Sequence, residues 1–181
     1  DENRYASCVY EVEKLPPSLL DRDEIFSLLG AFIGSTTGTQ VPVINGLKAN
    51  QPEHRLRALG AAAASTGSVG IFHAVGSTPE APTLTAALGE REPLNSINVS
   101  VEDLQEMRSK LTSATGTDLG TVALGTPHYS IEEFSILRSL VSGKKKHPNI
   151  DFYVSAGRDV LLELELRGWA DELRSFGVSL V

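Results

Sequence analysis

With 181 residues the chain is long enough for one good-sized domain or at most two small ones. Hydrophobic residues at 41% and charged ones at 22% are ordinary for a globular protein and exclude a disordered chain. Sixteen Lys and Arg against 23 Asp and Glu leave a formal charge of −7, which argues against a general nucleic-acid or membrane-surface binder. The basic run Lys144-Lys145-Lys146 has no interleaved aromatics and reads as a solvated loop. Cys8 is a single cysteine, so it can neither close an intramolecular disulfide nor supply a multi-thiolate metal site. No apolar run approaches the roughly 18 to 20 residues of a membrane span, and nothing at the start resembles a signal peptide. A reducing, cytoplasmic compartment is the expectation. The chain opens on Asp1 rather than Met and stops within the apolar run Ser179-Leu180-Val181, which is expected of a processed chain or a piece of a longer one.

Along the chain, short β-like runs alternate with longer helical ones. Val9 to Glu13 reads as a strand. After Pro16-Pro17, an Asp-rich start at Asp21 and Asp23 opens a helix with Ile25, Leu28, Leu29, Phe32 and Ile33 on one face, ended by Gly34 to Gly38. Val41 to Leu47 is a buried strand, with Pro42 tolerable only near its start or at an edge. An Ala-rich helix from about Pro52 to Thr66 has Pro at its first position and Gly67 at its end. Val69 to Val75 is a nearly continuous apolar strand, followed by a helix from about Ala81 to Gly89. Ile97 to Val99 is a short strand, and Ser100 with Asp103 makes a capping-box start to a helix reaching about Ser113. Leu119 to Leu124 is the next strand. Ser130 with Glu133 is a second box, opening a helix to about Ser142. Phe152 to Val154 is a strand, two helical segments broken near Gly168 follow, and Val178 to Val181 is a last strand. Such alternation predicts the α/β class: a mostly parallel sheet with helices on both faces, in a single three-layer domain over residues 1–181.

In open parallel sheets ligands bind outside the carboxyl ends of the strands, so the strand-to-helix junctions hold the candidates. After the third strand, His73 is followed by Gly76, the hydroxyls Ser77 and Thr78, Pro79-Glu80 and Thr83. Glycine allows close approach, the prolines fix the path, and Glu80 or Thr83 can orient groups at the helix entry. The plainer alternative is a rigid turn with a satisfied histidine. After the fifth strand, capping explains Ser130 but not His128, a polar residue of the type suited to proton transfer, at the mouth of a helix. Two histidines at equivalent strand ends could approach each other across one crevice. After the sixth strand, Ser155-Ala156-Gly157-Arg158 offers a hydroxyl, helix amides and a guanidinium for a carboxylate or phosphate, although Arg158 could equally pair with Asp159 or a nearby surface carboxylate. The Asn45-Gly46-Leu47-Lys48 stretch is a weaker candidate, because Asn-Gly is a common turn. His54 and His147 read as surface residues.

The stretch from Gly60 through Ser65 to Phe72-His73-Ala74-Val75-Gly76-Ser77-Thr78-Pro79-Glu80-Ala81-Pro82-Thr83 is similar to the signature segment of the aconitase X family. Ala123-Leu124-Gly125-Thr126-Pro127-His128-Tyr129-Ser130, the opening Glu2-Asn3-Arg4 and the run Val41 to Leu47 also resemble that family, so the likeness spans nearly the whole chain. The resemblance implies a hydro-lyase that removes water from a small hydroxy acid, such as cis-3-hydroxy-L-proline or mevalonate 5-phosphate. It implies an iron–sulfur cluster held by three cysteines, and a smaller swivelling part or subunit that closes over the substrate. Within such an enzyme, the junction residues His73 and His128 are expected to handle protons or hydrogen-bond the substrate, and Arg158 to clamp its carboxylate. Ser77, Thr78, Glu80, Thr83, Ser130 and Ser155 would line the substrate. Where the family has a Thr-Ser-Arg-like element, this chain has Ser155-Ala156-Gly157-Arg158. One cysteine cannot be three, so the cluster ligands are expected outside this chain, and the isolated piece is expected to be inactive. The alternative is a non-catalytic α/β module that binds an anionic metabolite or a protein partner.

Overall fold

A computed structural model describes residues 2–126 and 128–181. The chain forms two compact units, residues 1–113 and 114–181, each with its own parallel sheet and core, rather than the single domain expected. The physical reason lies in the Thr- and Gly-rich segment between Lys110 and Thr121, which contains no helix or strand and leaves the first sheet without continuing it. The α/β class itself is as expected. Among the described residues no helix is long and apolar enough to cross a membrane.

In the first unit a 3-10 turn at Glu2–Arg4 leads into β1 (Cys8–Glu11), α1 (Pro17–Leu20), α2 (Glu24–Thr37), β2 (Pro42–Asn45), α3 (Glu53–Thr66), β3 (His73–Ala74), α4 (Leu84–Ala87), β4 (Asn95–Asn98) and α5 (Val101–Lys110). The strand order is β3-β2-β1-β4, parallel throughout. Alternation along the strands sends Cys8, Tyr10, Ile44 and Ala74 into a core with Phe26, Leu29, Ile33, Leu59 and Leu104 of the helices. Val9 and Val43 face the other way, against Ala81, Ala87 and Leu88. Tyr10 is fully buried, and its hydroxyl is satisfied by Thr36 and Thr37 at 2.8 and 2.7 Å.

Several expected boundaries moved, two of them for a plain physical reason. Helix α2 runs through Gly34 to Thr37, because Gly30 and Gly34 are contact points against α3 and not a stop. A Cβ at Gly30 would collide with the Leu59 carbonyl, and one at Gly34 with the Ala63 carbonyl and the Thr66 hydroxyl. Strand β3 is only two residues long instead of running over 69–75, since it is an edge strand bonded to β2 alone.

The second unit has β5 (Thr121–Leu124), α6 (Ile131–Val141), β6 (Asp151–Val154), α7 (Arg158–Leu166), α8 (Trp169–Phe176) and β7 (Ser179–Leu180), with a parallel sheet of order β5-β6-β7. Phe134, Leu137, Val154, Leu164, Leu173 and Val178 form its core. Both capping boxes are present: Ser100 with Asp103 at α5, and Ser130 with Glu133 at α6. Gly168 takes φ +70 between α7 and α8, which breaks the helical run where the sequence predicts.

Candidate active site

In the first unit the order β3-β2-β1-β4 puts a topological switch between β1 and β4, because the chain leaves β1 for β2 on one side while β4 lies on the other. Ligands of open parallel sheets bind outside the carboxyl ends at such a switch. The last residues of the three strands there are Glu11, Asn45 and Asn98, with Glu11 in register with both of the others. Asn45 Nδ2 donates to Glu11 Oε2 at 2.9 Å. Sequence reasoning missed Glu11 by extending β1 to Glu13, and it discounted Asn45 as an ordinary turn residue. The signal available was the polar ending of two otherwise apolar strands.

The junction after β3 is held by its own hydroxyls. Thr78 Oγ1 accepts from the Ala74 amide at 3.0 Å, and Ser77 Oγ accepts from the Gln51 amide at 3.1 Å, tying this loop to the one after β2. Gly76 takes φ +71, and its carbonyl accepts from the Asn50 amide. Thr83 caps α4, accepting from the Ala86 amide at 3.1 Å. Glu80 pairs with Arg4. Its own backbone amide, then the Arg4 guanidinium, hold the Glu80 carboxyl below the usual range. His73 opens β3 and is 1% exposed. Its Nε2 lies 2.7 Å from the Arg4 carbonyl, and Nδ1 is buried without a hydrogen-bond partner among the described residues. Carbonyl oxygen only accepts, so Nε2 carries the proton. His73 and Glu80 border a cavity of about 280 Å³ with Arg4, Tyr5 and Ala87.

At the carboxyl end of the second sheet, the Tyr129 amide donates to the Ser155 carbonyl at 2.9 Å, and a Cβ at Gly125 (φ +87) would strike that same carbonyl. The loops after β5 and β6 are thus stitched together, and they bring the backbone segments of His128 and Ser155 side by side. Ser130 is committed to the α6 cap, accepting from the Glu133 amide at 3.3 Å. His128 is exposed, and Arg158 is exposed at the first residue of α7; neither has an ion pair or side-chain hydrogen bond among the described residues. Arg158 therefore does not pair with Asp159. Pro127 of the same junction lies outside the described residues.

The expected approach of His73 and His128 across one crevice required one continuous sheet, whereas their strands, β3 and β5, belong to different sheets in different units. The chain's own residues do not fit an iron–sulfur cluster. Cys8 is buried in the core of the first unit, and among the described residues no group of three His, Cys, Asp or Glu could hold a metal ion.

The profile of the aconitase X second domain matches residues 6–109, and that of the aconitase X third domain matches residues 119–181. The chain belongs to the aconitase X family. The two profiles coincide with the two compact units of this aconitase X chain. It is 39% identical over its whole length to the cis-3-hydroxy-L-proline dehydratase of Pseudomonas aeruginosa, of which it covers 31%. It is 28% identical, again over its whole length, to the phosphomevalonate dehydratase large subunit of Thermococcus kodakarensis, covering 44% of that protein. The crystal structure of Thermococcus kodakaraensis aconitase X in its holo-form superposes with TM-score 0.84 at 27% identity, over 100% of this chain and 44% of that one. The chain thus spans between about a third and a little under half of the length of these relatives. An aconitase-like family implies a metal cofactor, and among the described residues no group of side chains able to hold a metal ion is found.

Proposed function

We propose that this chain is a two-domain part of a hydro-lyase that removes water from a small hydroxy acid such as cis-3-hydroxy-L-proline. The observation that carries the reading is the 39% identity, across every part of the chain, to a protein named for that reaction. Dehydration next to a carboxylate needs a base for the neighbouring proton, an acid for the departing hydroxyl and a cationic seat for the carboxylate. Among the described residues of these junctions, His128 and Arg158 have side chains without a partner and suit two of these tasks. His128 handles a proton, and Arg158, at the start of a nine-residue helix, seats the carboxylate. Ser155 lines the substrate beside them. His73, already bonded to the Arg4 carbonyl, acts as a positioning residue for the β3 junction, whose Ser77, Thr78, Glu80 and Thr83 shape the loop. Ser130 positions α6.

The thiolates that would hold a cluster in the complete enzyme lie outside these 181 residues. A small subunit or an equivalent fused part completes the site, in keeping with relatives named as large subunits. The free, buried Cys8 suits a reducing, cytoplasmic setting. The test is a panel of hydroxy acids offered to the complete, iron-reconstituted protein. Release of water from at least one member is expected, whereas binding without turnover across the panel would favour a non-catalytic binding module.

A further inference from the structure

The cavity bordered by Arg4, Tyr5, His73, Glu80 and Ala87 lies wholly within the first unit and holds about 280 Å³. That falls just short of the roughly 300–1,000 Å³ of drug-sized ligand sites and suits a molecule of a few carbons. Arg4, Tyr5 and Glu80 are exposed, whereas His73 and Ala87 are buried. The cavity therefore deepens from a polar rim to an inner end made by the imidazole and a methyl group. With its proton on Nε2 and committed to the Arg4 carbonyl, the ring keeps a lone pair on Nδ1, which is buried without a partner among the described residues. Buried acceptors are normally satisfied, and this one calls for an incoming O–H or N–H. The rim sets the charge. Arg4 and Glu80 pair there, and the Glu80 carboxyl is held in its ionised form by its own backbone amide and then by the guanidinium. An entering anion meets the Glu80 carboxylate and an entering cation meets the Arg4 guanidinium, so either gains a counter-ion only by breaking a pair already made. An uncharged ligand leaves the pair intact and still finds an acceptor in Glu80 and donors in Arg4.

We propose that this cavity is a binding site for a small, uncharged, hydroxylated molecule of the diol class. One hydroxyl donates to His73 Nδ1, a second bonds to the Arg4–Glu80 pair at the rim, and the carbon chain rests against Tyr5 and Ala87. The site is complete within the first unit and does not depend on the dehydratase reading. Its occupant ties the loop after β3 to the N-terminal turn, which His73 and Arg4 already connect.

The test is nitrogen NMR of the complete protein, isotopically labelled at its histidine rings and titrated with three probes. Propylene glycol, lactate and isopropanolamine share one hydroxylated skeleton and differ in carrying an uncharged, an anionic or a cationic end. The His73 Nδ1 resonance is identified by its loss in His73→Gln, whose side-chain amide keeps a donor for the Arg4 carbonyl. It is expected to move with propylene glycol at concentrations at least tenfold lower than with either charged probe. The dimethyl ether of propylene glycol, which has no donor, should leave it in place. Glu80→Gln, at an exposed position, makes the rim cationic and should turn the preference to lactate. A resonance that ignores every probe, responds equally to the three, follows the ether or prefers a charged probe in the wild type overturns the site. A preference unchanged in Glu80→Gln overturns it as well. So does a resonance already at its hydrogen-bonded position before any probe is added, because another group of the complete protein then fills the cavity.

Discussion

His73 Nε2 donates to the Arg4 carbonyl across 69 residues of chain at 2.7 Å, pinning the N-terminal turn to the edge of the first sheet. The Arg4 side chain continues the connection to Glu80, so one buried imidazole orders both the turn and the loop after β3. Removing the ring leaves a space in the fold and a carbonyl without its donor. His73→Ala is therefore expected to cost about 3 kcal/mol of stability. His128→Ala, at an exposed position with no side-chain bond among the described residues, should stay within about 0.5 kcal/mol. Urea unfolding of both variants checks this, and equal losses would return His73 to the role of a freely available proton carrier.

The α2–α3 contact makes a prediction in which two effects oppose each other. On an open helix, Gly→Ala stabilises by up to about 1 kcal/mol. At Gly30 the added methyl meets the Leu59 backbone and the Ala62 side chain, so the helices must separate. Overpacking of this kind costs about 1–3 kcal/mol and outweighs the propensity gain. Gly30→Ala is expected to lower the urea midpoint, and a raised midpoint would show that the two helices are free to shift.

Burial raises the Cys8 thiol above its ordinary value, with the Tyr10 hydrogen bond opposing the shift more weakly. A thiol whose folded pKa is raised contributes stability that is fully present below the unfolded value, about 8.5, and is lost as pH rises through the folded value. Cys8→Ala should flatten the alkaline limb of the stability curve. A chromogenic thiol reagent at pH 8 should react with the folded wild type only at the rate of unfolding. Rapid labelling of the folded chain would mean that Cys8 is accessible.

The α/β class was legible because its signals are local. The period-3.6 face of Ile25, Leu29 and Ile33, the two Ser-x-x-acid boxes and the break at Gly168 each act within one or two turns. The division into two units was not legible, since an αβ alternation reads the same whether its strands join one sheet or two. Gly34 was misread for a related reason: a glycine that ends a helix and one that admits a neighbouring helix look alike until α3 is in place. Arg158 was open between a ligand and Asp159, and only the fold shows it unpaired among the described residues. Glu11 escaped notice because its place at the switch depends on strand order, which involves residues 34 and 87 positions away.

The dehydration proposed for these two domains can be read directly on the substrate. The most direct measurement is proton NMR of cis-3-hydroxy-L-proline incubated with the complete, iron-reconstituted protein and, separately, with the 181-residue chain alone. Loss of the C3 carbinol signal is expected with the complete protein, and its persistence with the isolated chain. An unchanged C3 signal in the complete protein, or its loss with the isolated chain and no added metal, would contradict it.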